Sequence, residues 1–152
     1  MLTNGSVAPD FELADQEGRT QTLSRLLADG PLILYFYPAD FTPGCTKEAC
    51  SFRDLHDDLL KAGLRIVGVS PQDTDSHRRF AEKYKLGFML LSDPDKKVIK
   101  AYGLDGPLGI GVRRGTYLIG NDRRIRDSVL ADLRIGAHEK FVRSAVAAGA
   151  TA

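Results

Sequence analysis

Two cysteines, the only thiols in the chain, stand five residues apart in Cys45-Thr46-Lys47-Glu48-Ala49-Cys50. A thiol does chemistry as its thiolate, as nucleophile or metal ligand, so its surroundings decide whether it reacts. The stretch before the first cysteine, Leu32-Ile33-Leu34-Tyr35-Phe36-Tyr37, is unbroken apolar sequence and predicts a strand buried on both faces. Pro38 cannot continue a ladder and ends it. Thr42-Pro43 predicts a helix start, with a hydroxyl N-cap and proline where no amide hydrogen is needed. Cys45 is then the third helical residue, among unpaired backbone N–H groups at the positive end of the helix dipole. That place favours a thiolate.

The helix is expected to run to about Ala62 and to stop at Gly63. At about 100° per residue, Ala49, Phe52, Leu55 and Leu59 form one apolar stripe, with Cys45 on its side. Cys50 falls roughly 140° away, among Lys47, Asp54, Asp57 and Lys61 on the polar face. Five helical residues also hold the two Cα atoms roughly 8–9 Å apart, beyond the ~7 Å limit for a disulfide. The thiols can meet only if the helix unwinds. Glu48 lies inside the apolar stripe. Either it bends out to complement the dipole, or it has a buried cation as partner, since an unpaired buried carboxylate is costly.

The elements around this helix alternate. Ala8–Leu13 and Arg19–Leu23 flank Gln16-Glu17-Gly18 and predict an N-terminal hairpin, followed by one helical turn over Ser24–Ala28. Leu64–Val69 predicts a strand, Thr74–Tyr84 a helix, Phe88–Leu91 a strand, and Lys97–Tyr102 a short helix ending at Gly103. Strand, helix, strand, helix, strand is the mark of a parallel α/β unit. Residues 103 to 111, rich in glycine, form a loop; Gly109-Ile110-Gly111 is no phosphate cradle, because no strand precedes it and no helix follows. Thr116–Ile119 and Arg124–Leu130, split by Gly120-Asn121-Asp122, predict an antiparallel hairpin. Ala137–Ala148 predicts a closing helix with Phe141, Ala145 and Ala148 on one side.

At 152 residues the chain fits one domain, residues 1–152, with length enough for a real core. Lysine and arginine total 21 against 20 for aspartate and glutamate, so no basic field exists to collect nucleic acid. No apolar run approaches the ~20 residues of a membrane span. Met1–Ser6 lacks a charged n-region and an apolar h-region, so no secretory signal is read and a cytoplasmic location is expected. Two cysteines in an unsecreted chain point to chemistry or metal rather than to a structural staple. His56, His77 and His138 show no metal-ligand spacing and are expected to be surface or structural. Tyr35 and Tyr37 are core residues by default, though either could line a pocket.

Pro38-x-x-x-Thr42-x-x-Cys45 resembles the active-site pattern of the peroxiredoxins, and Cys50, five residues on, is similar to their Q-type branch, the bacterioferritin-comigratory-protein type. The segments around Ser70, Ser76-His77 and Phe80, then Leu91–Asp95 and Ala101–Gly103, are similar to it too. The resemblance implies an α/β, thioredoxin-like fold with an N-terminal hairpin extension and a central mixed sheet flanked by helices. It implies that Cys45 is the peroxidatic thiol and Cys50 the resolving one, that Thr42 turns its hydroxyl to Cys45 and the peroxide, and that Pro38 shields the pocket. Peroxiredoxins carry an arginine two residues before a Ser or Thr that is followed by an aromatic and Leu-Ile. Arg114-Gly115-Thr116-Tyr117-Leu118-Ile119 matches, which makes Arg114 the cation for the Cys45 thiolate, the peroxide and Glu48. Arg113 beside it competes, and only the motif register favours Arg114. Gly120 stands where many relatives have Asp, at a turn.

The activity so implied is thiol-dependent reduction of hydrogen peroxide and organic hydroperoxides. A Cys45 sulfenic acid condenses with Cys50, and the disulfide is re-reduced by thioredoxin or a similar dithiol. No cofactor and no metal is needed, and the Q-type resemblance favours a monomer. Thioredoxin-type oxidoreductases space their cysteines by two residues, unlike this chain. Glutathione peroxidases use a tryptophan, and the chain has none. A non-catalytic redox sensor or holdase using the same disulfide is the reading from a different class.

Overall fold

The computed structural model describes residues 1–149. Seven strands form one sheet: β1 (Glu12–Asp15), β2 (Thr20–Thr22), β3 (Leu32–Phe36), β4 (Arg65–Ser70), β5 (Met89–Ser92), β6 (Gly115–Ile119) and β7 (Ile125–Leu130). Their spatial order is β2-β1-β5-β4-β3-β6-β7. The middle strands β5, β4 and β3 are parallel, while β1 on one side and β6 on the other run antiparallel to them. Between the strands lie α1 (Leu23–Leu26), α2 (Pro43–Lys61), α3 (Thr74–Tyr84) and α4 (Lys97–Ala101), and α5 (Ile135–Ala148) follows β7.

The apolar run of β3 follows from its place. It pairs with β4 and β6, and both of its faces are covered. Leu32, Leu34 and Phe36 join Val67, Val69, Leu91, Ile99 and Tyr117 in one core, under α1 and α4. Ile33, Tyr35 and Tyr37 point the other way, into a second core with Phe52 and Leu59 of α2, Phe80 of α3 and Val142 of α5. Period-two alternation therefore feeds two cores from one uniformly apolar strand. Gly68, inside β4, is required by this packing: a Cβ there would stand 2.8 Å from Cζ of Tyr35. The ring of Tyr35 lies where that side chain would be.

Because β3, β4 and β5 are parallel, their C-terminal ends share one edge of the sheet, and the segment 37 to 45 leaves from it. α2 starts at Pro43 and ends against Gly63, whose φ of 76° is the left-handed turn that stops a helix. α3 spans the predicted residues without shift.

One expectation needs correction. α5 begins at Ile135 and buries His138, Val142 and Ala145, while Phe141 is half-buried and Ala148 exposed. The buried stripe is turned by one residue because the His138 ring finds polar partners inside. The stretch 103 to 111 is a loop, folded back on itself by a 3-10 turn at Pro107–Gly109 and a bridge between Asp105 and Val112. Of the histidines expected at the surface or as structural residues, His77 and His138 are structural, both fully buried.

Candidate active site

The first helical bond of α2 runs from the Thr46 amide to the Thr42 carbonyl at 2.9 Å. The amides of Gly44 and Cys45 precede it and have no partner within the helix. Thr42 occupies the N-cap with extended backbone, but its side chain makes no capping bond. Its hydroxyl instead donates to the Ala39 carbonyl at 2.9 Å. The expected cap is thus replaced by a bond across the turn before the helix. The proton of Thr42 is committed to Ala39, and its oxygen keeps lone pairs to accept with.

Cys45 is buried, with 1% of its surface exposed, on the same face as Ala49, Phe52, Leu55 and Leu59. Cys50 is half-buried rather than exposed, and both thiols are free. Arg114 reaches Cys45 from the residue before β6. Its Nη2 donates to Cys45 Sγ at 3.2 Å, and its Nη1 donates to Glu48 Oε1 at 2.6 Å. One planar guanidinium therefore bridges the sulfur and the carboxylate, a two-pronged geometry that a lysine could not reproduce.

Arg113 goes elsewhere. Its Nε and Nη2 donate to Asp132 Oδ2 at 3.2 and 2.9 Å, on the surface. Asp132 Oδ1 also accepts the Arg114 amide at 3.0 Å, so one aspartate draws Arg113 outward and fixes the backbone that sends Arg114 inward. The Arg114 amide and the Arg113 guanidinium hold the Asp132 carboxyl below the usual carboxylate range. The choice between the two arginines rests on residue 132, which no local pattern links to them.

Glu48 is 1% exposed. Burial pushes its carboxyl up to about 7, against the pull of Arg114. Its second oxygen lies 3.7 Å from His138 Nδ1. His138 Nε2 lies 2.8 Å from the Ala131 carbonyl and must carry its hydrogen, so Nδ1 accepts from the Thr116 hydroxyl at 2.8 Å. Burial holds this ring below the ordinary histidine range, although the bond to Ala131 favours the charged form. The Tyr35 ring packs edge-on against Phe52 at 4.8 Å, and burial, then Glu48 and Cys45, push its phenol well above its ordinary value.

Pro38 is half-buried and, with Arg114, floors a cavity of about 400 Å³ walled by Pro107, Ile110, Val112 and Asp132. Two cavities of similar size, beside His56 and beside Asp93, contain neither cysteine nor Arg114. Cys45, Glu48 and Arg114 are in direct contact; Thr42 and Pro38 flank them on the turn; Cys50 lies one and a half helical turns on. Sequence reasoning missed Asp40, Asp132 and His138 as neighbours of the site. Only Asp40 carried a signal, being a charged residue set inside the Pro38-to-Thr42 pattern.

The chain matches the model of the AhpC/TSA family over residues 4–128. It is 50% identical over 119 residues to "Peroxiredoxin Q, chloroplastic" of Sedum lineare, covering 78% of this chain and 63% of that protein. It is 48% identical to the protein of that name from Arabidopsis thaliana, covering 78% and 55%. The chain thus spans little more than half the length of these curated plant relatives. Among solved structures, Peroxidoxin BcpB from Mycobacterium tuberculosis superposes with a TM-score of 0.90 at 38% identity, covering 97% of this chain and 98% of that one. Peroxiredoxin Q of Xanthomonas campestris superposes with a TM-score of 0.83 at 32% identity, covering 92% and 91%. These neighbours share the thioredoxin-like fold expected from the sequence. The chain belongs to the AhpC/TSA family, as a peroxiredoxin of the Q type.

Proposed function

We propose that the protein is a thiol peroxidase that reduces hydrogen peroxide and organic hydroperoxides through Cys45. The observation that carries this reading is the Arg114 guanidinium, which donates to the Cys45 sulfur and to Glu48 at once. A cation held there stabilises the sulfur anion before attack and the developing oxyanion during it. The thiolate attacks one peroxide oxygen, the O–O bond breaks, and the other oxygen leaves with a proton as water or alcohol. Thr42 accepts from the peroxide hydroxyl, and Pro38 keeps water from the sulfur. The sulfenic acid on Cys45 then condenses with the Cys50 thiol, releasing water and forming the disulfide. A thioredoxin-like dithiol reduces that disulfide by exchange, taking the oxidation onto itself. Both thiols come from one chain, which acts as a monomer. The Xanthomonas campestris bacterioferritin comigratory protein, 31% identical, is described by its alkyl peroxide reduction activity, which supports organic hydroperoxides as substrates here.

The test is peroxide-dependent oxidation of NADPH through thioredoxin reductase and thioredoxin. Sustained turnover is expected from the wild type and none from Cys45→Ser. Cys50→Ser should consume about one equivalent of peroxide and then stop. Consumption of only one equivalent by the wild type with reductant present would overturn the enzymatic reading in favour of a sensor.

A further inference from the structure

Asp40, Tyr37, Ser76 and His77 form a buried polar cluster that this chemistry does not use. Asp40 Oδ1 accepts from the Tyr37 hydroxyl at 2.6 Å. Its Oδ2 accepts from the Ser76 hydroxyl at 2.7 Å and lies 2.7 Å from His77 Nδ1. His77 Nε2 lies 3.0 Å from the Leu91 carbonyl. A carbonyl can only accept, so Nε2 carries a hydrogen. Nδ1 is left to the Asp40 carboxyl, which also holds the Tyr37 and Ser76 hydroxyls. Asp40 and His77 therefore form a hydrogen-bonded pair, with no side-chain surface of either left exposed. Such a pair is a costly way to gain stability and is better explained by the geometry it holds.

That geometry is the turn from Pro38 to Thr42. Asp40 stands at its centre, two residues from each. The next residue, Phe41, has a φ of 64°, in the left-handed region where an aromatic residue is strained. Its ring lies outside, 5.1 Å from the Phe80 ring and 6.4 Å from the Tyr84 ring of α3, with Lys83 Nζ 5.9 Å from its centre. α3 thus grips the turn twice, from inside through Ser76 and His77 and from outside through Phe80 and Tyr84. The turn so held brings the Ala39 carbonyl to the Thr42 hydroxyl and delivers Pro43 to start α2. Strain of this kind persists only where the surroundings over-determine the backbone.

We propose that Asp40 and His77 are positioning residues for peroxide attack: as a clamp on the strained turn, they present Thr42 and the start of α2 to substrate and, by the same grip, hold back the unwinding through which Cys45 reaches Cys50. The proposal rests on the thiol-peroxidase reading. It requires the two steps to respond to the clamp with opposite signs, because attack needs the turn held and disulfide closure needs it released.

The test is oxidation by excess peroxide without reductant, a second peroxide being what carries sulfenic to sulfinic acid, quenched by alkylation and resolved by mass spectrometry into thiol, sulfenic acid, disulfide and sulfinic acid. In Asp40→Asn, His77→Gln and the double variant, the rate of Cys45 oxidation should fall about 10-fold to 100-fold, the cost of a displaced group in the site. Conversion of sulfenic acid to disulfide should rise about 10-fold, as expected when roughly one hydrogen bond's worth of restraint is removed. The fraction lost to sulfinic acid should drop accordingly. The double variant should be no worse than the worse single one, since the pair acts as a unit. Phe41→Ala, a change at an exposed residue that keeps the Asp40–His77 pair, should shift both steps in the same directions by less, and it covers the case in which a buried variant does not fold. General structural damage would slow both steps together. That outcome, or unchanged rates in all variants, overturns the clamp. If Cys45 of the wild type fails to react with peroxide at all, the peroxidase reading falls instead, and the clamp falls with it.

Discussion

Arg114 is a single cation shared by two groups that can each be anions, so its loss should be felt at both. Arg114→Ala is expected to slow reaction of Cys45 with peroxide by about 100-fold to 1000-fold, the usual cost of removing a preorganised charge from a reacting centre. Arg114→Lys should recover little, because one ammonium cannot reach Sγ and Oε1 in the same fork. Arg113→Ala, whose partner is the surface Asp132, should change the rate less than threefold or so. Stopped-flow competition for peroxide measures all three. Glu48 makes a separate prediction about pH. Its folded pKa, about 7, lies above the ordinary 4.5, so the protonated form is the one the fold favours. The stability that protonation provides is fully present below about 4.5 and is lost as pH rises through about 7. Glu48→Gln cannot lose it, while Arg114, His138, Cys45 and Tyr35, which face the site, are common to both proteins. Urea denaturation at pH 5 and pH 8 should therefore show the wild type losing stability relative to Glu48→Gln, by at most about 3 kcal/mol. A difference that shrinks with rising pH would mean that Arg114, not burial, governs this carboxyl.

At the scale of elements, α2 carries both cysteines, and its regular geometry forbids their bonding. Closing a disulfide must bring the Cα atoms within about 7 Å and turn Cys45 off the buried face. The N-terminal turns, residues 43 to about 52, should lose their helical bonds on oxidation, while Leu55 and Leu59 keep the remainder docked in the core beside Phe52. Amide hydrogen exchange is expected to show lost protection at residues 46 to 52 in the oxidised wild type, but not in Cys50→Ser halted at the sulfenic acid. Full protection in the oxidised wild type would move the disulfide between chains. α2 was legible in the sequence because Pro43 and Gly63 mark its ends and the 3.6-residue period marks its buried side. β3 was legible because a strand between two cores needs no polar residue. What could not be read are pairings set by distant chain segments: Asp40 with His77 across 37 positions, Thr116 with His138 across 22, and Asp132 with the Arg114 amide across 18. The Thr42 hydroxyl was misplaced for a related reason. A cap follows from residue type and position, but the bond to Ala39 depends on a left-handed Phe41 that bulky residues seldom adopt.

The molecule as a whole sets a strained turn and a reactive helix mouth at one edge of a sheet whose two faces are filled. Tyr35 and Tyr37 root the site in the second core, and Gly68 makes room for the first of them. α5 lies beyond the residue where the family match ends, yet it supplies His138 behind Glu48, so the site's far wall comes from outside the matched segment. Placing both thiols on α2 has a kinetic consequence. In the proposed cycle, disulfide closure within one chain involves no encounter between molecules and is a first-order event whose half-time does not change on dilution. Quenched-flow traces at micromolar and nanomolar protein should superimpose once peroxide attack is complete. Peroxidases that resolve across a subunit boundary must stay assembled to recycle; a chain that resolves as proposed here keeps its cycle at any abundance, limited only by how often a reductant finds it.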